Sequence, residues 1–168
     1  MMVPLLEVLL HTDGSVTRIL KRFFDNVEVN PIETVTVTVE DEKAKLLGVP
    51  DGDEVYLRRV VIEADGVPVI LAETLARPDN LPGKMKREVL QSSKPLGVMI
   101  EEHELETRRV ILEVFEAELQ PREMGLLGIM GRETVPARRY LVIHRATPML
   151  LITEKYNPDV LRPEDEEG

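Results

Sequence analysis

Residues 33–40, ETVTVTVE, alternate threonine and valine between two glutamates. Successive side chains of a strand point to opposite faces of its sheet, so this run predicts a strand with one covered side. EVYLRRVVIEADGVPVILAETLARP then carries two β-rich runs around Ala64-Asp65-Gly66-Val67. An Asp-Gly pair accepts the positive φ angles of a tight hairpin, and strands joined that closely pair antiparallel. A sheet of neighbouring hairpins is the architecture these two segments impose.

The rest of the chain extends the plan. TRRVILEVFEAEL, within 106–119, fits a long strand, although the pattern alone also admits a helix. Two further strands, near 135–145 and 148–156, turn at Ala146-Thr147-Pro148. Helices are predicted over 3–11 and 15–25, the second capped by Ser15 in Asp13-Gly14-Ser15, with shorter ones over 41–47 and 84–91. Residues 121–134 hold three glycines without clean periodicity and read as a loop that folds over something. No internal repeat or flexible linker is evident. The expectation is an α+β fold, a six-stranded mainly antiparallel sheet with helices packed on one face. Without βαβ alternation, a doubly wound parallel sheet is not expected.

With 168 residues and 43% hydrophobic content, a single domain over 1–160 can bury a real core, followed by an acidic disordered tail over 161–168. No apolar run reaches membrane-spanning length. The N-terminal MMVPLLEVLLHTDG lacks the basic leader and cleavage site of a signal peptide. Cysteine is absent, which removes disulfides and thiolate chemistry. The expected location is the cytoplasm. A net charge of −10 opposes nucleic acid as a partner, and no basic stripe offsets it; no membrane partner is expected either.

Common catalytic signatures are missing: no phosphate loop, no nucleophile elbow, no H-E-x-x-H pair. His11, His103 and His144 are isolated, without metal-ligand spacing. What stands out is charge inside strand pattern. Arg58 shares a face with Tyr56, Val60 and Ile62, and Glu154 shares one with Leu150, Ile152 and Tyr156. One explanation is structural: arginine stems lie along apolar surface, or an Arg58–Glu154 pair fixes strand register. The other is functional. A guanidinium grips a carboxylate ligand, and an acid facing the same cavity can exchange protons with it.

The ordered series DGSVTR (13–18), YLRRVVIEADGVP (56–68), KPLG (94–97), TRRVILE (107–113), ARRYLV (137–142) and LLITE (150–154) resembles the chorismate pyruvate-lyase family. That family shares its fold with the ligand-binding domain of GntR-type transcription regulators. The resemblance, running over about residues 5–156, implies a six-stranded sheet whose flaps enclose a ligand pocket. It also implies conversion of chorismate to 4-hydroxybenzoate and pyruvate with no cofactor and no metal. By motif, it puts the active-site arginine at Arg58 and the carboxylate-binding backbone amide at Leu96, beside Gly97. The acid falls on Glu154, as proton donor or relay, and an apolar residue over the ligand on Val16. Arg138, Arg139 and Lys94 are further candidates for local positive potential, and 121–134 for a lid. The alternative is a non-catalytic module that binds a small aromatic or organic acid. In either case the partner is a small molecule, and the chain is expected to be a monomer or weak homo-oligomer.

Overall fold

The computed structural model describes residues 4–92 and 94–162. Six strands, β1 (Val27–Val39), β2 (Asp53–Ala64), β3 (Val67–Ala76), β4 (Thr107–Glu118), β5 (Thr134–His144) and β6 (Thr147–Tyr156), form one sheet. Its order is β1-β2-β3-β6-β5-β4, and every neighbouring pair is antiparallel. This is the α+β plan expected from the hairpin pattern. The residues of TRRVILEVFEAEL up to Glu118 are a strand, not a helix. Asp65 and Gly66 turn the β2–β3 hairpin with φ of 49° and 80°, the left-handed pair that matches strand twist. The β5–β6 turn falls at Arg145 and Ala146, φ 52° and 60°, slightly before the expected position.

Among the described residues seven α-helices accompany the sheet: α1 (Leu5–His11), α2 (Val16–Phe23), α3 (Asp41–Leu47), α4 (Gly83–Gln91), α5 (Leu96–Glu102), α6 (Pro121–Leu127) and α7 (Pro158–Leu161). Ser15 caps α2 by accepting from the Arg18 N–H at 3.2 Å. Two helices depart from expectation. Lys94-Pro95-Leu96-Gly97 leads directly into α5. The segment read as a loop begins with α6, whose start is fixed by a reciprocal cap between Gln120 and Glu123 and by Pro121 in its first turn.

The element order α-α-β-α-β-β occurs twice, over Leu5–Ala76 and Gly83–Tyr156. Features recur at one constant offset. Gly48 and Gly128 end the middle helix of each half with φ 70° and 67°. The register slips between Pro31 and Glu33 in one half and between Ile111 and Glu113 in the other. RRVVIEADGVPVIL (58–71) overlays RRYLVIHRATPMLL (138–151), sharing Arg58/Arg138, Arg59/Arg139, Pro68/Pro148 and Leu71/Leu151. The chain is therefore an internal repeat, which so few identities conceal. The halves join at the centre of the sheet, where β3 pairs β6.

Each half supplies one helical pair to the same sheet face. Leu6, Leu9 and Leu20 of α1 and α2 bury against Ile62, Ile70 and Ala72. Met85, Val89 and Met99 of α4 and α5 bury against Val142, Leu150 and Ile152. Burial of such side chains stabilises by about 1.5–3 kcal/mol each. Contrary to the expected single helical layer, the opposite face is also covered: Leu47 of α3 packs with Leu57, Leu75, Leu141 and Leu151, while Leu127 of α6 packs with Val61 and Leu71. Residues 121–134 thus begin on the far side of the sheet from the helical pairs. Leu161 is buried, so α7 carries the first residue of the expected tail into the core; residues 163–168 lie outside the described region. No helix among the described residues is long and apolar enough to cross a membrane.

Candidate active site

Between the two helical pairs the sheet face opens into a cavity with about 690 Å³ of empty space, the open solvent at its mouth included. Its floor is the inward face of β2, β3, β5 and β6. Apolar side chains, among them Val60, Ile62, Val142 and Ile152, supply most of that floor. α2 roofs it with Val16, and α5 with Leu96, Gly97 and Ile100. Because α5 starts at Leu96, the first-turn amides of that helix have no intrahelical acceptor.

Polar groups converge on this chamber. Arg58 is 2% exposed and Glu154 4%, and both line the cavity. Val16, Leu96 and Gly97 line it as well, so these five residues, far apart in sequence, meet in one place. Arg58 Nη2 donates to the carbonyls of Ser92 (3.2 Å) and Lys94 (2.7 Å) in the loop between α4 and α5. Its Nε and Nη1 have no partner among the described residues. A buried donor without an acceptor costs about 1–3 kcal/mol, so these atoms are poised for an anion.

Glu154 does not pair with Arg58. Its Oε1 accepts from Arg138 Nε and from the Tyr156 hydroxyl, both at 2.7 Å. Its Oε2 faces the Tyr140 hydroxyl at 3.4 Å. Strand register explains the choice: Arg138 sits directly opposite Glu154 across β5 and β6, whereas Arg58 sits opposite Thr74 across β2 and β3. The two arginines are equivalent in the repeat, and each holds the other half's loop, for Arg138 Nη1 donates to the Thr12 carbonyl at 2.6 Å. Burial depresses the ionisation of Arg58, with no acid to oppose it. At Arg138 burial acts in the same direction and is the largest single influence. The charge of Glu154 leads the influences that outweigh it and hold the guanidinium above its usual range. Burial, then Glu154, pushes both tyrosine hydroxyls up, so they remain protonated donors.

The other candidates separate. Arg138 packs over the Tyr140 ring at 4.6 Å and supports Glu154, but is not part of the cavity lining. Arg139 lies on the opposite sheet face. It faces Glu42 and Glu113 at 3.8 Å each and the Thr153 hydroxyl at 3.4 Å, so the expected place beside the ligand is corrected by the pleat. Lys94 turns its ammonium to Glu102 (2.5 Å) and Glu88 (3.7 Å), and only its carbonyl reaches the site. α6 lies across the sheet, so a lid over this chamber from 121–134 is not what the packing forms. Arg109 and Tyr140, absent from the sequence-derived candidates, both line the cavity. TRRVILE and ARRYLV contain them, yet only the register reveals which arginine of each pair faces inward.

A twisted six-stranded antiparallel sheet with paired helical flaps over an arginine- and glutamate-lined pocket defines a chorismate lyase-like ligand-binding fold. The effector domain of PhnF from Mycobacterium smegmatis has it, with a TM-score of 0.75 at 24% identity, covering 88% of this chain and 90% of that one. A GntR-family regulator from Bacillus cereus aligns with a TM-score of 0.65 at 19% identity over 82% and 96% of the two chains. Residues 10–163 match the family model described as Chorismate pyruvate-lyase Rv2949c-like, and the chain belongs to that family. A chorismate pyruvate-lyase of Mycobacterium tuberculosis is 27% identical over 94% of this chain and 81% of its own length. MJ0807 of Methanocaldococcus jannaschii, whose name gives it provisionally as a lyase, is 30% identical over 88% and 75%.

Proposed function

We propose that this pocket eliminates pyruvate from chorismate to leave 4-hydroxybenzoate. The observation that carries the reading is a buried guanidinium with two donor atoms unpartnered among the described residues, in the same apolar chamber as a buried, hydrogen-bonded carboxylate. Family membership supplies the substrate class.

In that reaction the ring C4–H bond and the ether C3–O bond break. The ring becomes aromatic, and the departing enolpyruvate takes up a proton at its methylene carbon to become pyruvate. Aromaticity supplies much of the driving force, so the protein's task is to orient the substrate and exclude water. Arg58 holds the ring carboxylate, assisted by the amide of Leu96, while Val16 closes over the ring. Glu154, already accepting hydrogen bonds from neighbouring donors, is suited to accept a hydrogen bond or proton from the C4 region and relay it. This replaces the donor role with an acceptor role. Positioning of this kind contributes on the order of 7–11 kcal/mol in favourable cases, and a placed proton acceptor about 10²–10⁴-fold.

A second reading has its own support. Pairing with Arg138 partly satisfies Glu154, and the regulator domains of the same fold bear their names for effector and ligand binding. Under it, the chamber binds a small aromatic acid without turning it over. Incubation with chorismate separates the two: equimolar pyruvate and 4-hydroxybenzoate support the lyase, and binding of 4-hydroxybenzoate without either product supports the binding module.

A further inference from the structure

The reading above leaves one cation at the cavity wall without a task. Arg109 of β4 lines the chamber, and with Arg58 it makes up the cationic part of the lining. Its Nη1 donates to the Asp13 carbonyl at 3.3 Å, in the loop between α1 and α2. Among the described residues that neutral carbonyl is its hydrogen-bond acceptor, so most of its five donors are uncommitted. Nη2 lies at the start of α5: a β-carbon placed on Gly97 would sit 3.9 Å from it and 3.9 Å from the Ser15 hydroxyl. Arg109 therefore stands where both flaps meet the sheet, with its guanidinium 5.9 Å from the Tyr140 ring.

The repeat sharpens the point. The position equivalent to Arg109 in the first half is Val29, which also lines the cavity. One side of the chamber thus carries an apolar wall and the other a half-buried guanidinium. Arg58, held by the α4–α5 loop, comes from the first half, and Arg109, held by the α1–α2 loop, from the second. Two separate cations with spare donors fit a ligand with two separate acid groups. A chain of net charge −10 needs such local compensation to admit a dianion.

We propose that Arg109 is a second anion clamp, selecting dicarboxylates over monocarboxylates by holding the side-chain acid while Arg58 holds the ring acid. This assigns the specificity of the same pocket and rests on the chorismate reading for the ring substrate. The test uses two aromatic acids that cannot eliminate: 3-(carboxymethoxy)benzoate, with two carboxylates, and 3-methoxybenzoate, with one. Calorimetric titration of the unmodified protein is expected to favour the dianion by at least about tenfold. Arg109→Gln should remove that preference while leaving the monoanion dissociation constant within about twofold, and Arg109→Lys should restore part of it. Arg58→Gln should weaken both acids. No preference in the unmodified protein, no binding of either acid, or an equal loss for both in Arg109→Gln would overturn the clamp. Absence of pyruvate from chorismate with the dianion preference intact would remove the lyase reaction and leave the clamp standing.

Discussion

The two halves of the chain place the same arginine at the same point of the same hairpin and put it to different use. Arg138 faces Glu154 across its strand pair, spends Nε on that contact and keeps one donor atom, Nη2, without a partner among the described residues. Arg58 faces Thr74 and, among the described residues, retains two unpartnered donor atoms. Both are buried, and both tie down the opposite half's flap loop. The partner opposite on the neighbouring strand decides the outcome. An acid there builds a structural pair, and a threonine leaves a charge for a ligand. The same asymmetry recurs at Val60 and Tyr140, and at Ala76 and Tyr156, where only the second half surrounds its carboxylate with hydroxyls.

Removing each arginine in turn breaks the comparison most severely. Arg138→Met leaves Glu154 buried without its counter-charge, and unfolding free energy should fall by about 3–5 kcal/mol. Arg58→Met deletes no ion pair, and its cost should stay within about 1–2 kcal/mol for two lost carbonyl contacts. Equal losses in chemical denaturation would erase the distinction between the halves.

Glu154→Gln keeps the shape and two of the contacts while removing the charge. Turnover of chorismate should drop at least tenfold in a protein that still binds 4-hydroxybenzoate. Full turnover in the folded variant would take Glu154 out of the chemistry.

A smaller effect belongs to the tyrosines. Both fold-state ionisations are raised above the ordinary value near 10, so the folded chain binds protons more firmly than the unfolded one. The associated stability is present below about pH 10 and is lost as pH climbs beyond it. Denaturation at pH 8 and pH 11 should show that decline, and Tyr140→Phe should reduce it. A flat profile would contradict the assignment.

How far the sequence discloses this arrangement depends on which contacts are local. Alternation in ETVTVTVE, the Asp65-Gly66 turn and the Ser15 cap act over a few residues, and each is visible in the chain. The shared face of Leu150, Ile152 and Glu154 follows from period two, and all three do line the cavity. The partner of Glu154 does not follow, because it requires knowing that β5 lies beside β6 and in what register. The same gap hid the opposite placements of Arg138 and Arg139 and the inward turn of Arg109. α6 was obscured by Gly125 within it and Gly128 at its end, although Gln120 and Glu123 carry the spacing of a capping pair. The repeat is hidden in the sequence because the halves share backbone features such as positive-φ turns far more than side chains.

Arg58 has no ion-pair partner among the described residues, whereas its counterpart Arg138 is paired with Glu154. Titration of 4-hydroxybenzoate into Arg58→Met and into the unmodified protein measures this directly. A dissociation constant raised at least tenfold in the folded variant is the predicted result, and an unchanged constant would contradict it.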